Sequence, residues 1–294
     1  MGRSVLLLVN RGKAGAEEAE ARVTGLVRAH GSIVESLEAM CDDPPRDCAD
    51  VDLIVVLGGD GTLMTVAGRY ADQGRPILGV NIGRVGFMAG FDLDSLEAHA
   101  SELFGEGRLD LRRAALLGAR IEDAHGRTLE SLRAINDFAI TAGPPYRMIT
   151  LELHFDGQPG PLVSGDGLVV SSPMGSTAYN VSAGGPIVTP GVEATVVTPI
   201  AAHSLSFRPI VVAHACPVEV RVRTANEENG GGTELVIDGR GRRRLHAGQR
   251  VVIRGGAGMI DFVGDPGVSY WQTLMRKMHW AAPPAGRDQS GAGE

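Results

Sequence analysis

Lysine is almost missing from this chain: among 28 lysines and arginines, only Lys13 and Lys277 are lysine. Gly12-Lys13 runs into Ala14, so the G-x-x-x-x-G-K-[ST] pattern of a P-loop is absent. If the protein holds phosphates, backbone N–H groups, arginines and a metal must hold them. Cysteine is scarce too. Cys41, Cys48 and Cys216 are an odd count without paired spacing, which argues against a disulfide framework or a zinc site and for a reduced compartment. The 8 histidines are scattered, with no i, i+4 pair beside a carboxylate to offer metal ligands. Long apolar runs are lacking: the strongest, residues 5–9 and 53–57, fall far short of the roughly 20 residues needed to span a bilayer. No small-residue cleavage site follows Arg3 and its short apolar stretch, so no signal peptide is expected. The expectation is a cytoplasmic protein that does not engage a membrane. Excess positive charge is also absent. A formal net charge of −7 argues against nucleic acid as a partner, because duplex binding draws on a basic face. Arg242-Arg243-Arg244 reads as a solvated hairpin tip.

What the chain does have is glycine, 41 residues of it, and its densest use follows the best strand. Residues 53–57 are an unbroken, partly β-branched apolar run, which suits a parallel strand covered on both faces. Gly58-Gly59-Asp60-Gly61-Thr62 then makes a turn. Without a Cβ, Gly58, Gly59 and Gly61 let the backbone take positive φ and approach a ligand closely, and Thr62 is positioned to cap a helix over 63–69. Several N–H groups would face one spot beside a helix N-terminus, a natural phosphate site. Asp60 is the odd member, because a carboxylate there repels phosphate unless it holds a metal or takes a proton. It reads as chemistry and its neighbours as a cradle.

The order of elements predicts an N-terminal doubly wound α/β domain, residues 1–112, with strands over 5–9, 33–37, 53–57 and 77–80 and a helix over 14–30. Residues 81–87 form a second glycine loop, Asn81-Ile82-Gly83-Arg84-Val85-Gly86-Phe87, and a short acidic helix follows over 93–103. From 113 to 264 strand-like alternation dominates, separated by Gly, Pro and Asp turns, which predicts a β-rich, sandwich-like C-terminal domain. A final helix near 265–282 is expected to pack back on the first domain. Residues 283–294, small, polar and rich in Pro and Gly, read as a disordered tail.

Two further stretches are denser than turns need. Ile135-Asn136-Asp137-Phe138 sets an amide beside a carboxylate, able to read a purine or ribose edge and to accept from hydroxyls. Gly165-Asp166-Gly167 precedes Gly175-Ser176-Thr177-Ala178-Tyr179-Asn180-Val181-Ser182-Ala183-Gly184-Gly185-Pro186, which gathers hydroxyls, an aromatic face and glycines suited to a sugar and a base. A serine-rich helix cap with Tyr179 as packing is the plainer alternative. No G-x-S-x-G elbow supports an acyl-transfer serine.

Together, in order, Gly58-Gly59-Asp60-Gly61-Thr62, Asn136-Asp137, Gly165-Asp166-Gly167, residues 175–186, residues 198–209 and Ser269-Tyr270 resemble the NAD kinase family. The resemblance implies phosphoryl transfer from ATP or polyphosphate to the 2′-hydroxyl of the adenosine ribose of NAD, giving NADP. It implies Asp60 as general base, and Gly58, Gly59, Gly61 and Thr62 as the seat of the donor phosphates. Mg²⁺ or another divalent ion would be carried by those phosphates, with Asp60 the one candidate protein ligand. NAD would be held by Asp60, Gly61, Asn136, Asp137, Arg147, Asp166, Thr177, Ala178, Tyr179, Asn180, Val181, Ser182 and Arg240. A homodimer or homotetramer with shared sites is implied as well.

The chain departs from the family pattern at four positions. Asp137 is shorter than the usual Glu, Met174 replaces a small hydroxyl residue, Ser164 stands where many members are basic, and Arg240 stands where Gln is common. These bear on dinucleotide preference and leave Asp60 untouched. Three rivals remain open on the residues alone. A lipid kinase of the diacylglycerol or sphingosine type shares the G-G-D-G-T turn, yet gives no role to Asn136-Asp137 or residues 175–186. A nicotinamide-dependent dehydrogenase needs G-x-G-x-x-G, and Met64 fills its third glycine position. The last rival is a non-catalytic dinucleotide-binding protein.

Overall fold

The computed structural model describes residues 2–278 apart from 42, 84, 85, 87, 205 and 228–230. The expected tail, the end of the expected final helix, Arg84, Val85 and Phe87 of the second glycine loop, and Leu205 lie outside the described residues. The chain begins β1 (Ser4–Val9), α1 (Ala16–His30), β2 (Ser32–Glu38), β3 (Leu53–Gly58), α2 (Asp60–Tyr70), β4 (Ile77–Asn81), α3 (Leu93–Ala98) and α4 (Ala100–Phe104). The β-rich part holds β5 (Leu111–Glu122), β6 (Thr128–Ala134), β7 (Asp137–Thr141), β8 (Ile149–Phe155), β9 (Gln158–Gly165) and β10 (Gly167–Ser171). After α5 (Tyr179–Ser182) come β11 (Ala194–Ile200), β12 (Ile210–Ala213), β13 (Val218–Thr224), β14 (Glu234–Ile237), β15 (Gly241–Arg244), β16 (Arg250–Val263) and α6 (Tyr270–Met278). No helix among the described residues is long and apolar enough to cross a membrane.

The first four strands pair in parallel in the order β2-β1-β3-β4. Their side chains alternate between two cores. Leu7, Val9, Val55 and Leu57 pack with Val23 and Val27 of α1, whereas Leu6, Leu8, Ile54 and Val56 pack with Leu63, Val66 and Tyr70 of α2. Strands buried on both faces are why β1 and β3 read as continuous apolar runs.

β16 carries this sheet onward. It meets β4 in parallel at Phe262 and Ile77, and runs antiparallel to β5 and β13, beyond which lie β8 and β9. A second, antiparallel sheet has the order β12-β11-β10-β7-β14-β15. The two sheets share a core, in which Leu117, Leu151, Val218 and Val251 of the first meet Phe138, Ile140, Leu168, Val197 and Leu235 of the second. The fold is thus an α/β unit with both faces covered, joined to a β-rich sandwich.

Several elements differ from the sequence reading. Gly59 in extended conformation is the N-cap of α2, so the helix starts at Asp60 and Thr62 lies in its first turn, buried, instead of capping it. The Thr62 hydroxyl accepts from Asn10 Nδ2 at 2.8 Å. None of Gly58, Gly59 and Gly61 takes positive φ, and what they provide is close approach. The Arg242 to Arg244 run lies on β15 itself, with Arg242 paired to Glu234 and Arg243 to Glu130, and the hairpin tip is Asp238-Gly239-Arg240. β9 was hidden by Pro159, Gly160 and Pro161, which break the alternation that marks a strand.

Phe138 is fully buried between the two sheets. Phe138→Ala is expected to lower unfolding free energy by about 3–5 kcal/mol in urea titration, since it removes transfer energy and leaves a cavity. A loss below about 1 kcal/mol would mean the sheets do not pack this way.

Candidate active site

In an open parallel sheet, ligands settle beyond the carboxyl ends of strands where neighbouring connections leave in opposite directions. Here that point lies between β1 and β3. From β1 the chain passes through α1 to β2 on one side, and from β3 through α2 to β4 on the other, with α1 and α2 on opposite faces. The loop after β1 and the 58–62 turn after β3 therefore stand side by side. Asn10 stitches them, its N–H donating to Leu57 O at 3.0 Å and its amide to Thr62.

Asp60 opens α2, and its Oδ1 accepts from the backbone N–H groups of Met88 at 3.1 Å and Ala89 at 3.0 Å. The loop after β4 thus fixes the carboxylate. Gly86 lies so close that a Cβ there would collide with the Asp60 carboxylate, which explains glycine at that position. Two cations lie against the turn. Lys13 Nζ lies 2.7 Å from the point a Cβ on Gly59 would occupy, and Arg240 Nη2 lies 2.5 Å from the corresponding point on Gly61.

The nucleotide-type cleft is built around Asp238, which sits at positive φ in the β14–β15 turn. Its carboxylate accepts three backbone N–H groups: Oδ2 from Ile135 at 2.9 Å, and Oδ1 from Asn136 at 2.7 Å and Asp137 at 3.2 Å. Those N–H groups are thereby withdrawn from strand pairing. The chain is therefore divided into β6, a break at Ile135 and Asn136, and β7. The break lets Asn136 and Asp137 face a cleft of ≈ 240 Å³ shared with Ala139, Ala178, Tyr179 and Val236. Asn136 Oδ1 is buried there without a partner, an acceptor ready for a ligand N–H.

Burial, reinforced by the nearby Asp238 charge, pushes the Asp137 carboxyl up to about 7 from its ordinary 3.8. Burial raises Asp238 too, against the three N–H bonds that favour its charged form. Two like charges in one dry site ionise reluctantly, so near neutral pH Asp137 can carry a proton and donate it in a hydrogen bond. The same cleft wall continues past Tyr179, 43% exposed, to a neighbouring hollow with Asp166, Thr141 and Tyr146.

Other expected site residues lie differently. Asn180 is fully buried: its amide donates to Ser176 O and Pro186 O at 3.0 Å each, and its oxygen accepts from Thr198 at 2.6 Å. It braces the 175–186 segment and presents no surface to the cleft. Val181 and Ser182 line neither hollow, and Thr177 lines a separate cavity of ≈ 350 Å³ with Met88, Met174 and Trp271. Arg147 is exposed and offers its carbonyl to Asn226 at 2.8 Å. Sequence reasoning passed over three residues of the site: Asp238, Lys13 and Asn81. Asp238-Gly239 has the residue types of a tight turn, which by themselves carry no signal of a site.

The proton on Asp137 has a measurable consequence. Its folded pKa is raised, so the contribution of the protonated carboxyl to stability is present below about pH 4 and is lost as pH rises through about 7. The melting temperature should fall across that window, and Asp137→Asn should flatten the fall. Equal slopes in the two proteins would contradict the buried, proton-holding Asp137.

Comparison with known proteins gives the family. Residues 41–108 match the family model of the ATP-NAD kinase N-terminal domain, and residues 135–264 match that of the ATP-NAD kinase C-terminal domain. The NAD kinase of Thermomicrobium roseum is 34% identical over 285 residues, 97% of this chain and 94% of that protein. The NAD kinase of Rhodopirellula baltica is 34% identical over 233 residues, 79% of this chain and 73% of that protein. Among solved structures, yeast NADH kinase complexed with NADH superposes with a TM-score of 0.81 at 21% identity, over 96% of this chain and 88% of that one. An NAD kinase from Archaeoglobus fulgidus in complex with ATP gives 0.71 at 24% identity, over 94% and 98%. These two likenesses speak to the fold, and the sequence relatives speak to the enzyme. With both family models matched in order along the chain and identity sustained over nearly its whole length, this phosphotransferase belongs to the NAD kinase family.

Proposed function

We propose that the chain transfers the terminal phosphoryl group of ATP to the 2′-hydroxyl of the adenosine ribose of NAD, giving NADP, with inorganic polyphosphate as the alternative donor. One observation carries this reading: a single hairpin turn reaches both halves of the site. Asp238 clasps Asn136 and Asp137 in the nucleotide cleft, while Arg240, two residues on, lies over Gly61 beside Asp60. An acceptor held in the cleft and a donor held on the turn would meet at Asp60.

In this mechanism Asp60 takes the 2′-hydroxyl proton as the hydroxyl oxygen attacks the donor's terminal phosphorus, and the bond to the leaving ADP, or to the shortened polyphosphate, breaks in line. The Met88 and Ala89 N–H groups keep the carboxylate aimed. The N–H groups at the start of α2 and the Gly58, Gly59, Gly61 and Thr62 backbone face the donor phosphates. Asn136 and Asp137 hold the adenosine, Tyr179 stacks on a ring, and Asp166 and Arg147 serve the rest of the dinucleotide. The residues fit a phosphate-borne Mg²⁺. Among the described residues no group of three or more His, Cys, Asp or Glu gathers as a protein cage, and Mg²⁺ commonly takes only one or two carboxylates alongside phosphate oxygens. Asp60 is the carboxylate that would join it, and the ion would neutralise charge on the donor. We place the enzyme in the cytoplasm as a homodimer or homotetramer.

NADP formation with NAD, Mg²⁺ and either donor tests the reading. Wild type should yield product, and Asp60→Asn should lower kcat by roughly 10²- to 10⁴-fold while NAD still binds. No product with either donor, in protein that binds NAD, would sink the assignment.

A further inference from the structure

Lys13 belongs to no P-loop pattern, yet the fold brings it to the phosphate turn. Lys13 leaves β1 in a tight turn closed by its own N–H to Asn10 O at 3.1 Å. Because β1 and β3 pair in parallel, with Val9 opposite Leu57, that turn sits directly beside Gly58 and Gly59. The ammonium occupies the space a side chain on Gly59 would fill. Among the described residues no carboxylate pairs with it.

A second, independent feature points into the same spot. Asn81 ends β4, next to β3, and is 3% exposed. Its Nδ2 donates to the carbonyls of Ala89 and Phe91, which turns Oδ1 the other way. That oxygen is buried without a partner, 4.0 Å from the point a Cβ on Gly59 would occupy. A buried acceptor left unpaired is destabilising and calls for a donor. An ammonium has three N–H donors, so one can turn to Asn81 Oδ1 while the others hold a phosphoryl oxygen. Arg240 Nη2 lies against Gly61, two residues further along the same turn, in the first turn of α2.

We infer that Lys13 and Arg240 grip the phosphate chain of the donor at two points of the 58–62 turn, Gly59 and Gly61, with Asn81 Oδ1 anchoring the Lys13 ammonium when the donor is bound. The inference rests on the phosphoryl-transfer reading above and extends it to the donor's polyanionic chain, which ATP and inorganic polyphosphate share. It also gives Arg240 a charge-bearing role on the donor side. A lysine supplies in this fold, from a separate loop, the point charge that a P-loop lysine supplies from within its own.

Steady-state kinetics of wild type, Lys13→Met, Lys13→Arg and Arg240→Gln, each with ATP and with polyphosphate, decide it. Losing a charge-assisted bond to phosphate should raise the donor KM of Lys13→Met by roughly 10- to 100-fold for both donors. KM for NAD should stay unchanged, and Lys13→Arg should recover part of the loss. Circular dichroism melts confirm folding, and the partly exposed Lys13 site gives no reason for a core defect. An unchanged donor KM in Lys13→Met, or a rise confined to NAD, would overturn the inference while leaving the NAD kinase reading intact. Should wild type make no NADP, that reading fails by itself. Calorimetric titration of MgATP into wild type and Lys13→Met then decides Lys13 alone: weaker binding in the variant supports it, and equal binding or none overturns it.

Discussion

Three backbone N–H groups converge on the carboxylate of Asp238, and the rest of the site follows from that convergence. A carboxylate that accepts three donors in a buried setting is a strong local constraint, because releasing it would leave a charge and three N–H groups unsatisfied. The constraint interrupts the strand between β6 and β7, which turns Asn136 and Asp137 toward the cleft instead of into a ladder. Burial raises the proton affinity of Asp137, and the clasp adds to it by bringing a second carboxylate alongside. The clasp also fixes the β14–β15 turn in the one place from which Arg240 reaches Gly61.

The sheet supplies the other half. Both faces of β1 and β3 are buried, so their register is rigidly specified, and their carboxyl ends deliver two loops to one point. The loop from β1 brings a cation, the turn from β3 brings N–H groups and Asp60, and the end of β4 brings Asn81. Charge is arranged locally. In a chain of net charge −7, the two cations at the turn make one small basic spot beside a single carboxylate, a seat for an anion and a place where a proton can leave.

The parts legible in the sequence are those that depend on local chain properties. Residues 53–57 announce β3 because a doubly buried strand must be apolar throughout, and the glycines after it announce a turn because little else packs Thr62 against Gly58. Asn136 and Asp137 stand out as adjacent polar residues after an apolar lead-in. The parts that escaped are those created by long-range pairing. Lys13 and Gly59 are 46 positions apart and meet only because β1 lies next to β3. Asp238 looks like an ordinary hairpin residue until the residues it clasps, about a hundred positions earlier, are in place. Asn180 shows the converse. In a glycine- and serine-rich segment an amide that braces the chain and an amide that faces a ligand carry the same signature, and only burial separates them. The helix start moved from 63 to Asp60 for a related reason: extended Gly59 ends the turn without a side-chain cap.

The Asp238 carboxylate, and no neighbouring strand, holds the Ile135, Asn136 and Asp137 amides. Residue-resolved amide hydrogen exchange on the intact protein measures this directly. These three amides are expected to be protected to the same degree as the flanking β7 amides. Exchange at the rate of an open loop would show that the clasp does not exist in solution, and the link between the nucleotide cleft and the phosphate turn would fall with it.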